Sequence, residues 1–416
     1  MAAFREYQRR RKRRRQMIIA AASAAAVVIL VLLLLQACGS GDQTSSEESS
    51  GQNGEGQGTT GEAATTRPER QVVQPYAALE PSRNATPIAQ SVTAADTELA
   101  VGTQNGGVVI EQYENPGMPP ETTGMETTAD DEGTGMTPYT GPNRSVPLGE
   151  TLLEGQEDNS DGPLKENRIV AYYGTPTSDL MGILGEYEPD EMMRLLKEQT
   201  QAYSEADPER PAIPAIEFIA TVAQRDPGPD NLYVASVDPE YIEQYSELAR
   251  QNDALLILDV QLGRASVMEE VRGLERFLKE PYVHLAIDTE YAVDEGQVPG
   301  LDLGTVDGPE IQEAVEYLDN LVEEEGIPDK MLMVHQFELG IVTNKQDIRP
   351  TDNVQVALHA DGFGGAEAKF SKYGTLVRGQ PIQYGAFKVF YNQDTPVLEP
   401  SQVLALDPAP AIITYQ

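Results

Sequence analysis

The chain contains no tryptophan, one cysteine, three histidines, and only 30 basic residues against 67 acidic ones in 416. A lone cysteine excludes an intramolecular disulfide. Without tryptophan, aromatic contacts fall to 18 tyrosines and 8 phenylalanines. The histidines His284, His335 and His359 show no H-x-H or H-E-x-x-H spacing, so no metal motif is legible. No cofactor fingerprint is present either. The glycine-rich "DGFGG" at 361–365 could form an anion-cradling turn, but it lacks the Lys-Ser/Thr of a phosphate loop and reads more simply as a tight turn. The scarcity of basic charge is uneven: residues 1–37 hold eight of the Lys and Arg and one of the acids, which leaves 22 against 66, or −44, for the rest. A surface of that sign repels nucleic acid and anionic headgroups, so neither is an expected partner.

What is present begins with a basic block, "RRRKRRR" at 9–15, followed by the apolar run 17–35. A positive segment, an apolar core and small residues before a cleavage point make residues 1–38 a signal or anchor segment. The 19-residue run is also just long enough to span a bilayer, so an uncleaved anchor is the alternative. Leu35-Gln36-Ala37-Cys38 resembles the bacterial lipobox, which implies lipidation at Cys38. Either way the remainder is expected on the extracytoplasmic face of the cell membrane, because the Lys/Arg cluster stays inside. Residues 39–165, rich in Gly, Ser, Thr, Glu and Pro, sustain no period and read as a disordered linker with a reach of about 60 Å.

Residues 166–416 alternate strand-like and helix-like segments. Eight apolar runs stand out, at 168–174, 215–223, 254–261, 284–291, 331–337, 354–362, 386–394 and 411–416. Between them, Pro189 and Asp238-Pro239 mark helix starts, Ser266 with Glu269 forms a capping-box pattern, and Gly326 is a C-terminal cap. Eight strands alternating with helices over ~250 residues predict a (β/α)8 barrel, with connections after strands five and seven too short for full helices. A doubly wound open sheet is the alternative.

Strand pleat then sorts the side chains. In strand four, Leu285, Ile287 and Thr289 share one face and Ala286, Asp288 and Glu290 the other, the two acids roughly 6.6 Å apart at ~3.3 Å per residue. With helices outside, the mixed faces point into the lumen. A partly polar lumen is better explained by a site at the C-terminal mouth than by stability alone. The expected mouth residues are Asp259 and Gln261 from strand three, Asp288 and Glu290 from strand four, and His335 and Gln336 from strand five. Strands six and seven add His359 and Asp361, then Asn392 and Asp394 with Lys388 deeper. Asp259 and Asp394 fit a site role and a structural one equally well, the structural one being a cap on the following helix or a satisfied lumen hydrogen bond, and His284, at the start of its strand, reads as structural.

A D-x-E ending on strand four is similar to the motif of chitinase-like glycosidases and of barrel-type wall muramidases. The resemblance implies that Glu290 is the general acid and that Asp288 is its electrostatic partner or orients an acetamido group. On that reading Asp361 or Asp259, facing across the mouth, is the base or stabiliser, and Tyr172 or Tyr173 supplies a hydroxyl. It also implies a polysaccharide or other small-molecule ligand. Paired carboxylates raise one another's pKa, which keeps one protonated near neutral pH. The strand departs from the family in lacking the acids that precede the pair, and the chain lacks the tryptophan that usually stacks on sugars. Two other classes stay open: a metal-dependent hydrolase with His335, His359, Asp361 and Asp288 around Zn or Mn, and a barrel that binds without catalysis.

Overall fold

A computed structural model describes residues 74–83, 158–378, 380, 381 and 383–416. The expected signal or anchor segment, Cys38 and most of the linker lie outside the described residues. Eight parallel strands close on themselves: β1 Arg168–Gly174, β2 Ala212–Ala223, β3 Leu255–Gln261, β4 Val283–Asp288, β5 Lys330–Gln336, β6 Val354–Ala360, β7 Tyr384–Val389 and β8 Ile412–Tyr415. Closure comes from β1, which pairs with β2 on one side and with β8 on the other, Ile169 opposite both Ile213 and Ile412. This is the (β/α)8 barrel, not an open sheet, and each strand overlaps one of the eight apolar runs.

The helices follow from local chemistry. Helix α1 (Ile183–Glu186) precedes α2 (Pro189–Ala206), which starts on proline, where the missing N–H costs nothing. The carboxylate of Asp238 caps α3 (Pro239–Gln251) by accepting from the N–H of Glu240. Ser266 and Glu269 form both halves of a capping box on α4 (Val267–Gly273), ahead of α5 (Glu275–Leu278). Helix α6 (Gly308–Glu325) ends on Gly326 at φ 66°, where an added Cβ would be strained. After β6 comes α7 (Ala366–Tyr373) and a π-helical turn, Gly374–Arg378. The connection after β5 carries only a short strand and a 3-10 turn, and that after β7 only the five-residue α8 (Pro400–Leu404), as the sequence lengths require.

The folded unit starts earlier than 166. Leu164 is fully buried, and its N–H donates to Oε1 of Gln355 at 2.9 Å. The Asp158 carboxylate accepts from Gln355 Nε2 at 2.7 Å and from the Tyr384 hydroxyl at 2.6 Å. Residues 158–167 therefore plug the N-terminal end of the barrel, where Arg168 pairs with Asp207 at 2.9 Å. A stretch expected within the linker also docks there: Leu79 donates to the Ala212 carbonyl at 2.8 Å and Ala77 to that of Asp253 at 3.0 Å, with Tyr76 and Ala78 against the core. Composition averaged over 127 residues hides so short an apolar cluster.

The plug predicts its own fragility. Asp158→Ala removes the acceptor of four buried donors, the Ser160 N–H and hydroxyl, Gln355 Nε2 and the Tyr384 hydroxyl, and is expected to cost about 2 to 4 kcal/mol, read as a lowered midpoint in urea at unchanged m-value.

Candidate active site

The C-terminal mouth and upper lumen gather an acidic cluster around very few cations. His335 of β5 meets Glu217 of β2, Nε2 to Oε1, at 2.8 Å. Those strands are not neighbours, so this contact crosses the lumen and fixes both residues as inward-facing. The other ring nitrogen, Nδ1, lies 3.1 Å from Asp361 Oδ2, which also accepts from Lys388 Nζ at 2.9 Å. Lys388 in turn sits over the Tyr173 ring, 3.7 Å from its centroid. On the other side of the lumen Gln261 Nε2 donates to Asp288 Oδ2 at 3.2 Å. His359 packs tilted on His335 with ring centroids 4.3 Å apart, and its Nε2 is 2.8 Å from the Thr414 hydroxyl.

Glu290 arrives at the mouth by a different route from the expected pleat. Strand β4 ends at Asp288, and the chain then turns. Thr289 is pinned by its hydroxyl to the His335 carbonyl at 2.7 Å, while the Glu290 N–H donates to Asp288 Oδ1 at 3.2 Å, closing a side-chain turn. The Glu290 side chain is half-buried, with Asp288, Asp361, Lys388 and Lys372 as its charged neighbours, and its Oε1 is sealed with no hydrogen-bond partner among the described residues.

Three residues named from the sequence with the site lie elsewhere. Tyr172 faces outward: its hydroxyl meets that of Tyr391 at 3.1 Å, and its ring abuts Tyr415, which is bonded to Gln199 and Tyr203 of α2. Neighbours in a strand take opposite faces, so Tyr173 is in the lumen and Tyr172 is not. Gln336 is outward by the same parity and donates to the Leu376 carbonyl at 3.1 Å. Asn392 is exposed, 3.3 Å from Glu186.

Asp394 resolves to its structural alternative. It accepts the N–H groups of Gly364 and Phe390, both at 2.9 Å, and pairs with Lys369 at 2.9 Å. Since β7 ends at Val389, the alternation that would carry Asn392 and Asp394 into the lumen stops short of them. His284 is structural as expected, with Nδ1 accepting the Met331 N–H at 3.0 Å.

Lys388, expected deeper in strand seven, joins the cluster, and Glu217 and Thr414 complete it without having been singled out as site residues. Glu217 did leave a signal, a lone charge within the apolar run "AIPAIEFIATVA" of β2.

Protonation follows from burial and pairing. Burial opposes charge on His335, yet its bonds to Asp361 and Glu217 win and lift it well above the ordinary imidazole range. Burial likewise opposes charge on Asp361, but Lys388 and His335 hold it well below the usual carboxylate range. Lys388 stays an ammonium, raised by Asp361 and Glu217 against the cost of burial. His359 is held neutral by burial and by the neighbouring His335. Burial raises Asp259 and Asp288, and raises Glu290 to about 8 with the help of Asp288 and Asp361. The mouth thus holds a proton donor, Glu290, beside fixed negative charge at Asp361. Two sets of three donor atoms are also close enough to share a cation, Glu217/Asp259/His335 and His335/His359/Asp361, each set within 4.8 Å.

No protein-family model matches the chain, and no curated protein sequence matches it. What fold and geometry define together is a (β/α)8 barrel with an acidic cluster at the end where such barrels carry their sites.

The raised Glu290 has a measurable consequence. Its carboxyl binds a proton more tightly in the folded chain than in the unfolded one, about 8 against 4.5. Folded protein therefore carries the extra proton between those values, and stability falls as pH rises from 4.5 to 8. Glu290→Gln is expected to remove part of that fall. Melting temperatures of the variant and the natural chain should diverge in the variant's favour across this window.

Proposed function

We propose that the chain is a membrane-tethered, extracytoplasmic hydrolase of glycosidic bonds. The observation that carries this reading is Glu290, a carboxyl at the open end of the barrel, raised to about 8 and so protonated at neutral pH. A proton donor of that strength next to fixed carboxylates is what cleavage of an acetal requires. Glu290 protonates the leaving oxygen. Asp288, oriented by Gln261 and by the Glu290 N–H, faces the positive charge that develops on the sugar or positions an acetamido group. Asp361, held anionic by Lys388, stabilises the same charge or activates water. Half-buried Tyr291 and Phe363, in the loops after β4 and β6, offer ring faces to sugar in place of tryptophan. The tether reading rests on the basic block, the apolar run and Cys38.

The test is turnover of peptidoglycan and of chitin-like, α-glucan and β-glucan oligomers. Glu290→Gln is expected to lower kcat by about a thousandfold. Activity should also fall as pH rises through about 8, where Glu290 loses its proton. Turnover indifferent to that substitution sinks the assignment, and binding without turnover of any glycan replaces it with a binding module. The tether is checked separately, since Cys38→Ala should prevent incorporation of labelled fatty acid.

A further inference from the structure

Glu217 of β2, Asp259 of β3 and His335 of β5 approach one another in the lumen, their donor atoms all within 4.8 Å. All three are buried, with Glu217 and Asp259 fully enclosed. Buried carboxylates normally collect several donors. Here both oxygens of Asp259 and Oε2 of Glu217 are sealed from solvent with no partner among the described residues. Something that satisfies oxygen lone pairs belongs between them.

The imidazole sharpens the point. Its Nδ1 is engaged by Asp361 at 3.1 Å, and Asp361 is itself anchored by Lys388 at 2.9 Å. With Nδ1–H committed to that carboxylate, Nε2 turns toward Glu217 Oε1 at 2.8 Å. In the ion-free site a proton on Nε2 holds that contact, and an ion that binds there takes the proton's place. A proton on Nε2 serves one oxygen of Glu217 and leaves Asp259 unanswered, whereas a metal ion can be shared by all three side chains.

We propose that Glu217, Asp259 and Nε2 of His335 bind one divalent ion of the zinc or manganese class, with Asp361 as the outer carboxylate that sets the tautomer and orientation of His335. One imidazole and two carboxylates suit these ions better than calcium or magnesium, which prefer oxygen alone. Bonds of ~2.1 Å in tetrahedral geometry place ligand atoms roughly 3.4 Å apart, within the 4.8 Å limit on the three donor atoms, so the 2.8 Å contact between His335 and Glu217 opens by about 0.6 Å as the ion enters. A carboxylate behind a ligating histidine is the usual outer partner of such sites. The inference stands apart from the glycosidase reading, because binding is measured with no sugar present.

The experiment uses the full chain in detergent, carrying Cys38→Ser so that the lone thiol captures no ion, stripped with chelator and titrated with Zn2+ and Mn2+. Calorimetry is expected to give one equivalent. The melting temperature should rise by about 5 °C or more at hundredfold excess over Kd. Co2+ should give a visible ligand-field band. Asp259→Asn, close in shape and lacking charge, should fold as judged by circular dichroism, weaken binding at least a hundredfold and lose the band, and Glu217→Gln should do the same. Asp361→Asn should weaken it about ten- to a hundredfold while shifting the band, as an orienting role requires. No uptake by the stripped natural site at millimolar ion, or undiminished uptake by both Asp259→Asn and Glu217→Gln, overturns the proposal.

Discussion

The upper lumen is organised by one contact chain, Lys388 to Asp361 to His335 to Glu217, that spans β7, β6, β5 and β2. Burying an isolated carboxylate is prohibitively costly, and burying several in one lumen is worse. The chain makes it tolerable by setting Lys388 and His335, both held protonated, within hydrogen-bonding distance of the carboxyl groups of Asp361 and Glu217. The acids outside it, Asp259, Asp288 and Glu290, respond to the same environment by holding their protons more tightly.

That division of labour is what the site can use. A group locked into the chain is oriented by its partners, while Glu290, half-buried at the rim, holds a proton. Deeper down, Asp259 has its charge opposed by burial and its oxygens unpaired, an arrangement that favours a shared cation. The rim suits proton transfer and the floor suits ligation, and both follow from depth along the barrel axis.

Strand pleat explains which residues reached the site. Where a strand persists to the residue in question, parity was legible: Asp259, Gln261, Asp288, His335, His359 and Tyr173 all face inward as alternation requires, while Tyr172 and Gln336, one position off, do not. Where the strand stops, parity loses its meaning. Asn392 and Asp394 follow the end of β7 and belong to the surface and to loop scaffolding. Glu290 follows the end of β4, yet the turn closed by Asp288 brings it to the mouth, for a reason different from the one alternation supplied.

The sequence by itself determined the eight strands and the capped helices between them, because period, caps and connection lengths are local properties written in neighbouring residues, and left a barrel and an open sheet as the two ways to arrange them. It also placed Asp288, Asp361 and both lumen histidines at one end. Only the tertiary structure decided that the sheet closes, that Glu217 joins the site and Lys388 meets Asp361, that Asp361 is an ion-paired anion while Glu290 keeps its proton, and that residues 74–83 and 158–165 belong to the folded unit. Those outcomes depend on contacts between residues up to 226 positions apart. No local pattern encodes them, because the field a carboxyl feels is set by which charges closure of the sheet brings across the lumen.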